Sequence, residues 1–208
     1  MSNEDRDSYD PSAVEEKWQR LWDERGTNSH TLEEIESAEN TFYNLMMFPY
    51  PSAEGLHVGN IYAFTGADVH GRYQRLQGKT VFEPMGFDAF GLNAENAAIQ
   101  RGIHPYKWTM DNIENMRRQL RSMGPMYDWD REVVTSDPEY YRWNQWLFLQ
   151  LYRAGLAYRD YAPANWCPTC NTTLANEQVD DGVCWRCSTT PGCASWSPRS
   201  RRSSPRSR

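Results

Sequence analysis

Four cysteines stand in two close pairs, Cys167-Pro168-Thr169-Cys170 and Cys184-Trp185-Arg186-Cys187, spaced C-x2-C-x13-C-x2-C. Two intervening residues let both thiolates of a pair reach one tetrahedral ion at about 2.3 Å, and two pairs complete four-coordinate zinc. With every position filled by protein, such an ion is structural rather than hydrolytic. The competing reading is two reduced dithiols. A second group is the turn Leu56-His57-Val58-Gly59-Asn60. His57 can donate to a phosphate oxygen as charge builds during displacement at phosphorus. Asn60 can donate its amide, and Gly59 leaves room for a planar base against the backbone. A His at a helix start also serves as a plain cap. The third group is Asp88, placed after Met85-Gly86-Phe87. A carboxylate at the carboxyl end of a parallel strand can receive an ammonium group. It can equally cap the segment that follows.

These side chains need elements to hold them. The apolar stretch Phe42 to Phe48 reads as a strand, residues 57–77 as a helix, and Thr80-Val81-Phe82-Glu83-Pro84 as a second strand closed by Met85-Gly86. Strand, helix, strand makes a βαβ unit with its two strands parallel. A strand, a Pro- and Gly-rich turn and a helix start also aim backbone N–H groups and the helix dipole at an anion. Upstream, Asp10-Pro11 is an N-cap followed by Pro at the first helical position. Val14, Trp18, Leu21 and Trp22 then share one helical face, Gly26 stops the helix, and residues 27–40 read as a polar linker. Downstream, helices are expected over Ala94 to Gln100 and from a Thr109 cap through Met123. Another is expected from Asp137-Pro138 to Gly155, its aromatic residues in the core.

Composition bounds the rest. The chain has 208 residues, 39% hydrophobic and 24% charged. No apolar run approaches the roughly 20 residues that span a bilayer, and the acidic start Met1-Ser2-Asn3-Glu4-Asp5 has no apolar segment of a secretory signal. A cytoplasmic location is therefore expected, and in that setting paired cysteines read as metal ligands rather than disulfides. The net charge of −6 is uneven, because residues 188–208 hold five arginines and no acid. The remainder carries 17 basic against 28 acidic residues. Such a body has no general attraction for nucleic acid, so RNA contact needs a local basic patch or a further domain.

The turn at His57 resembles the HIGH signature of the class I aminoacyl-tRNA synthetases. Met47-Phe48-Pro49-Tyr50-Pro51-Ser52, Pro84-Met85-Gly86-Phe87-Asp88-Ala89-Phe90-Gly91-Leu92, Asn165-Trp166-Cys167-Pro168 and Thr173-Leu174-Ala175-Asn176-Glu177-Gln178-Val179 are similar to leucyl-tRNA synthetase of the bacterial type. The resemblance covers about residues 10–187. It implies activation of leucine with ATP and Mg²⁺ to leucyl-adenylate, release of pyrophosphate, and transfer of leucine to the 3′ end of tRNA(Leu). It also implies roles: His57 and Asn60 as the catalytic pair beside the ATP phosphates, with Gly59 near the adenine. Asp88 would face the leucine ammonium, and Met47, Phe48 and Tyr50 would line the amino-acid site. The four cysteines would hold structural Zn²⁺. A complete enzyme of this kind is expected to be a monomer without membrane association. Asn60 stands where the family has its second signature His, Asn93 replaces Pro, and Ala53 replaces Gly.

The expected architecture is α/β, an incomplete Rossmann-like parallel sheet with flanking helices and a small zinc-ribbon insertion. The expected divisions are a helix and linker (1–40), the first half of a class I catalytic domain (41–162), a zinc module (163–187) and a disordered Arg/Ser-rich tail (188–208). No lysine signature loop, editing domain or anticodon-binding domain is recognisable. The chain therefore reads as an N-terminal part that is inactive alone, with the tail a frameshift product. The alternatives are a genuine arginine–serine tail and a non-catalytic, synthetase-derived module that binds RNA or protein.

Overall fold

The computed structural model describes residues 9–160 and 163–194. The chain divides into two compact units, Met1–Tyr141 and Arg142–Arg208. This division falls inside a helix, whereas the sequence changes texture only near residue 163.

In the first unit, helix α1 (Pro11–Glu24) starts where expected, with the Asp10 carboxylate accepting from the Ser12 amide at 3.0 Å. The stretch read as linker contains a helix, α2 (Leu32–Ser37), opened by a reciprocal capping box between Thr31 and Glu34. The βαβ unit is present: β1 (Thr41–Tyr43), α3 (Val58–Leu76) and β2 (Thr80–Phe82), with β1 and β2 parallel and Thr41 opposite Thr80. The first strand is shorter than Phe42 to Phe48. Its pairing ends when the Asn44 amide bonds to Phe82 O at 2.9 Å, and the chain then leaves the sheet towards Pro49.

The second strand is also two. Strand β3 (Pro84–Phe87) follows β2 across the single residue Glu83 and pairs in parallel with β4 (Asp128–Val134), which lay unrecognised in the sequence. The switch of partner falls at Pro84, which has no N–H to give a ladder. Between β3 and β4 run α4 (Leu92–Arg101) and α5 (Pro105–Ser122). Gly102 ends α4 in the left-handed region, at φ 66°, where a glycine costs least. The cap of α5 is His104, whose Nδ1 accepts from the Tyr106 amide at 3.2 Å. Thr109 is instead buried within the helix, because Pro105 at the first position starts it earlier.

The core of this unit is Phe64 of α3, Met85 and Phe87 of β3, Ala89, Tyr127, and Ile113, Met116 and Leu120 of α5. Arg117 fixes α5 to β4 with two 2.7 Å bonds to the Glu132 carboxylate. One acid is sealed inside. Glu83 is 1% exposed, and burial pushes its carboxyl up to about 7, with Asp68 adding to the rise and Asn44, Arg72 and Arg75 offsetting part of it. Gly71 makes room for it: a Cβ there would lie 2.4 Å from Glu83 Oε2 and 2.6 Å from Asn44 Nδ2.

Helix α6 (Pro138–Arg153) crosses from the first unit to the second and buries no residue. Trp143 and Trp146 are 60% and 54% exposed, and Leu147 and Phe148 are exposed as well. This corrects the expectation that its aromatics are core. Helical spacing marks an apolar face but not whether anything covers it. The second unit continues as a three-stranded antiparallel sheet, with β5 (Ala164–Cys167) flanked by β6 (Thr172–Leu174) and by β9 (Gly192–Ala194). A hairpin of β7 (Val179–Asp180) and β8 (Val183–Cys184) lies between them in sequence. Within the expected tail, Gly192 pairs with Trp166 and Cys193 with Asn165. Residues 195–208 of that expected tail lie outside the described residues. No helix among the described residues is long and apolar enough to cross a membrane.

Candidate functional site

His57 is the N-cap of α3, in extended conformation, and its side chain is exposed. Its ring folds back over Gly59, where an added Cβ would meet Cε1 and Nδ1 at 3.0 Å. Gly59 therefore accommodates the His57 imidazole, a use beyond the expected room for a base. Asn60 is tied to the same turn: its Oδ1 accepts from the His57 amide at 3.2 Å. That bond occupies the carbonyl end and leaves Nδ2 as the group that can donate outward. The first amides of any helix lack an intrahelical acceptor, so those of Val58 and Gly59, together with the α3 dipole, present positive potential at this end.

The residues expected to hold leucine converge from two directions. Asp88 follows β3, and its amide donates to Pro49 O at 3.0 Å. That bond places the Asp88 backbone beside the segment carrying Met47, Phe48 and Tyr50. Met47 and Tyr50 are exposed, while Phe48 is half-buried against the core cluster. Thr135, just past β4, was not anticipated. Its hydroxyl donates to Asp88 Oδ1 at 3.3 Å and accepts from the Ala89 amide at 2.8 Å, while its own amide bonds to Phe87 O. This clamp orients Asp88 from 47 residues away in sequence, so no local signal could reveal it.

A second unanticipated group lies on α5. Trp108 Nε1 donates to Ser52 O at 3.4 Å, Asn112 Nδ2 to Pro51 O at 3.0 Å, and Asn115 Nδ2 to Glu54 O. Gln119 Oε1 accepts from the Leu56 amide at 2.8 Å. The signal was present in the sequence as Asn112, Asn115 and Gln119, which repeat the spacing of the apolar Ile113, Met116 and Leu120 one residue earlier.

In the second unit the cysteines meet as their spacing predicts. The Sγ atoms of Cys167, Cys170, Cys184 and Cys187 all lie within 4.8 Å of one another, with Cys167 and Cys184 buried. The Cys170 amide donates to Cys167 Sγ at 3.3 Å. Thr189 lowers the Cys187 thiol to about 6 through its hydroxyl and backbone. The side-chain hydrogen bond with Cys187, with burial and the other cysteines adding to it, pushes Cys170 up to about 12. Four clustered cysteine sulfurs are a donor set that zinc takes.

The chain matches the family model described as tRNA synthetases class I (I, L, M and V) over residues 17–182. Leucine–tRNA ligase of Rubrobacter xylanophilus is 59% identical over 186 residues, 88% of this chain and 22% of the relative. Leucine–tRNA ligase subunit alpha of Aquifex aeolicus is 52% identical over 87% of this chain and 28% of its own length. The chain thus spans about a quarter of the curated relatives it matches. Among solved structures, the ternary complex of Agrobacterium radiobacter K84 LeuRS with tRNA and LeuAMS superposes with TM-score 0.82 at 40% identity, covering 90% of this chain and 24% of that one. Mycobacterium tuberculosis methionyl-tRNA synthetase superposes with TM-score 0.61 at 21% identity and shares the fold. On the family match across the site, this chain belongs to the class I tRNA synthetases.

Proposed function

We propose that this chain is the N-terminal catalytic part of a leucine–tRNA ligase. The whole enzyme binds ATP with Mg²⁺ and leucine as substrates, and the leucine carboxylate attacks the α-phosphorus. A new P–O bond forms as pyrophosphate leaves, giving leucyl-adenylate. The 3′-terminal ribose hydroxyl of tRNA(Leu) then takes the leucyl group, and AMP departs. His57, Asn60 through Nδ2, and the first amides of α3 face the phosphates, and Gly59 lies nearest the adenine. Asp88, held by Thr135, receives the leucine ammonium, while Met47, Phe48 and Tyr50 line the side-chain pocket. The two parallel strand pairs are read as the first half of a Rossmann-like nucleotide domain (41–162). The four cysteines are read as the ligands of a structural Zn²⁺ in residues 163–187. The whole enzyme is read as a cytoplasmic monomer.

One observation carries this reading. The Asp88 amide is bonded to Pro49 O at 3.0 Å, so the ammonium acceptor sits against the segment that leads into the His57 turn. The relatives named leucine–tRNA ligase, at 52–59% identity, support leucine over the other substrates of the family. The test is calorimetry with leucine, isoleucine and methionine, each with and without ATP. Binding that prefers leucine and weakens in Asp88→Asn is expected. Equal affinity for the three amino acids contradicts the assignment.

A further inference from the structure

One face of α5 makes a regular set of side-chain bonds to main chain in the first unit. Trp108, Asn112, Asn115 and Gln119 fall at i, i+4, i+7 and i+11, which brings them onto one side of a helix. All four address the same strip of main chain, from Pro51 to Leu56, immediately before His57. Three donate to carbonyls and one accepts from an amide. Their bonds to the strip reach its backbone, so they fix its path rather than reading its side chains.

Two anchors are buried. Asn112 is 4% exposed and Trp108 8%. A buried amide that loses its partner costs more than the bond contributed, so these contacts hold the strip in one place. Gln119 closes the row at the end nearest the helix start. Gly55 admits it, since a Cβ there would meet Gln119 Nε2 at 2.9 Å. The strip enters α3 three residues after Gly55, so any displacement of Leu56 moves the His57 ring and the first amides of α3.

The geometry assigns Asn112, Asn115 and Gln119 as positioning residues: α5 acts as a clamp that preorganises the nucleotide-binding turn before ATP arrives. This rests on the reading of that turn as the ATP phosphate site. Preorganisation lowers the cost of ordering a loop on binding, so its loss falls on ATP and not on leucine, which Asp88 holds from β3.

The test compares Gln119→Met with Gln119→Glu in the full chain. Methionine keeps the length and loses the acceptor for the Leu56 amide, whereas glutamate keeps the acceptor. Exchange of the Leu56 amide is followed by NMR, with ATP and leucine affinities by calorimetry and melting by circular dichroism. In Gln119→Met, Leu56 exchange should quicken and ATP affinity fall about fivefold, the scale of one net hydrogen bond. Leucine affinity and melting should hold. Gln119→Glu should restore both Leu56 protection and ATP affinity. Unchanged Leu56 exchange in Gln119→Met overturns the clamp. Faster exchange with unchanged ATP affinity overturns its role in nucleotide binding. A folded wild-type chain that binds no ATP removes the phosphate-site reading itself, and that failure appears before any variant is made.

Discussion

Replacing Glu83 by Gln should remove a pH dependence of stability and make the protein more stable above neutrality. Glu83 lies between β2 and β3 and is 1% exposed. Its nearest amide, Asn44 Nδ2, already donates to Ala67 O at 2.9 Å. Burial raises its carboxyl from an ordinary 4.5 to about 7. The folded value thus lies above the unfolded one, so the folded state favours the protonated acid. The stabilisation from that proton is complete below pH 4.5 and is lost as pH rises through about 7. At 1.36 kcal/mol for each unit between the two values, the loss is about 3 kcal/mol. Urea unfolding, read by tryptophan fluorescence from pH 5 to 8.5, should show the wild type losing stability relative to Glu83→Gln across that range. Most of the difference should develop between pH 5 and 7. Taking the difference between the two proteins cancels every other titrating group that Glu83 does not touch. Two curves that run parallel over the whole range would refute the reasoning, since the buried acid would then carry no linked proton.

Three further outcomes follow from the same geometry. Gly71→Ala should destabilise the first unit by about 1–3 kcal/mol, because its Cβ meets Glu83, Asn44 and Met126 at 2.8 Å or less, and thermal unfolding checks it. Asp88→Asn should weaken leucine binding roughly 10- to 100-fold, the scale of one charge-assisted hydrogen bond, with ATP affinity retained by calorimetry. Cys184→Ser should abolish the binding of one zinc per chain, measured by metal analysis after dialysis. It should melt the cysteine-bearing sheet while leaving protection of the Phe87 and Leu120 amides intact in hydrogen exchange.

Local signals were legible in the sequence, and contacts between distant segments were not. The cysteine cluster was readable because both pairs are fixed by short spacing, and the four sulfurs meet accordingly. The start of α1 was readable because Asp10-Pro11 is a cap with its own chemistry. Capping also offered two signals whose weight was missed: Thr31 with Glu34 opens α2, and His104-Pro105 opens α5. Strand β4 escaped because Asp128-Trp129-Asp130-Arg131-Glu132 is rich in charge. Its charges are spent on partners, Glu132 on Arg117 and Asp128 on Arg131. The exposure of α6 could not be read from an apolar stripe. For the candidate site, residue types were legible and orientation was not. Asp88 was visible, but Thr135 that clamps it was not. The His57 turn was visible, but the α5 amides that brace it were not.

The most direct test of the central claim is calorimetric titration of the folded chain with leucyl-sulfamoyl-adenosine, a stable mimic of leucyl-adenylate. The account predicts saturable one-to-one binding, tighter than for the isoleucyl and methionyl analogues and weakened in both His57→Ala and Asp88→Asn. A folded chain that binds the leucyl analogue no better than the others, or binds it equally well without His57 and Asp88, would contradict it.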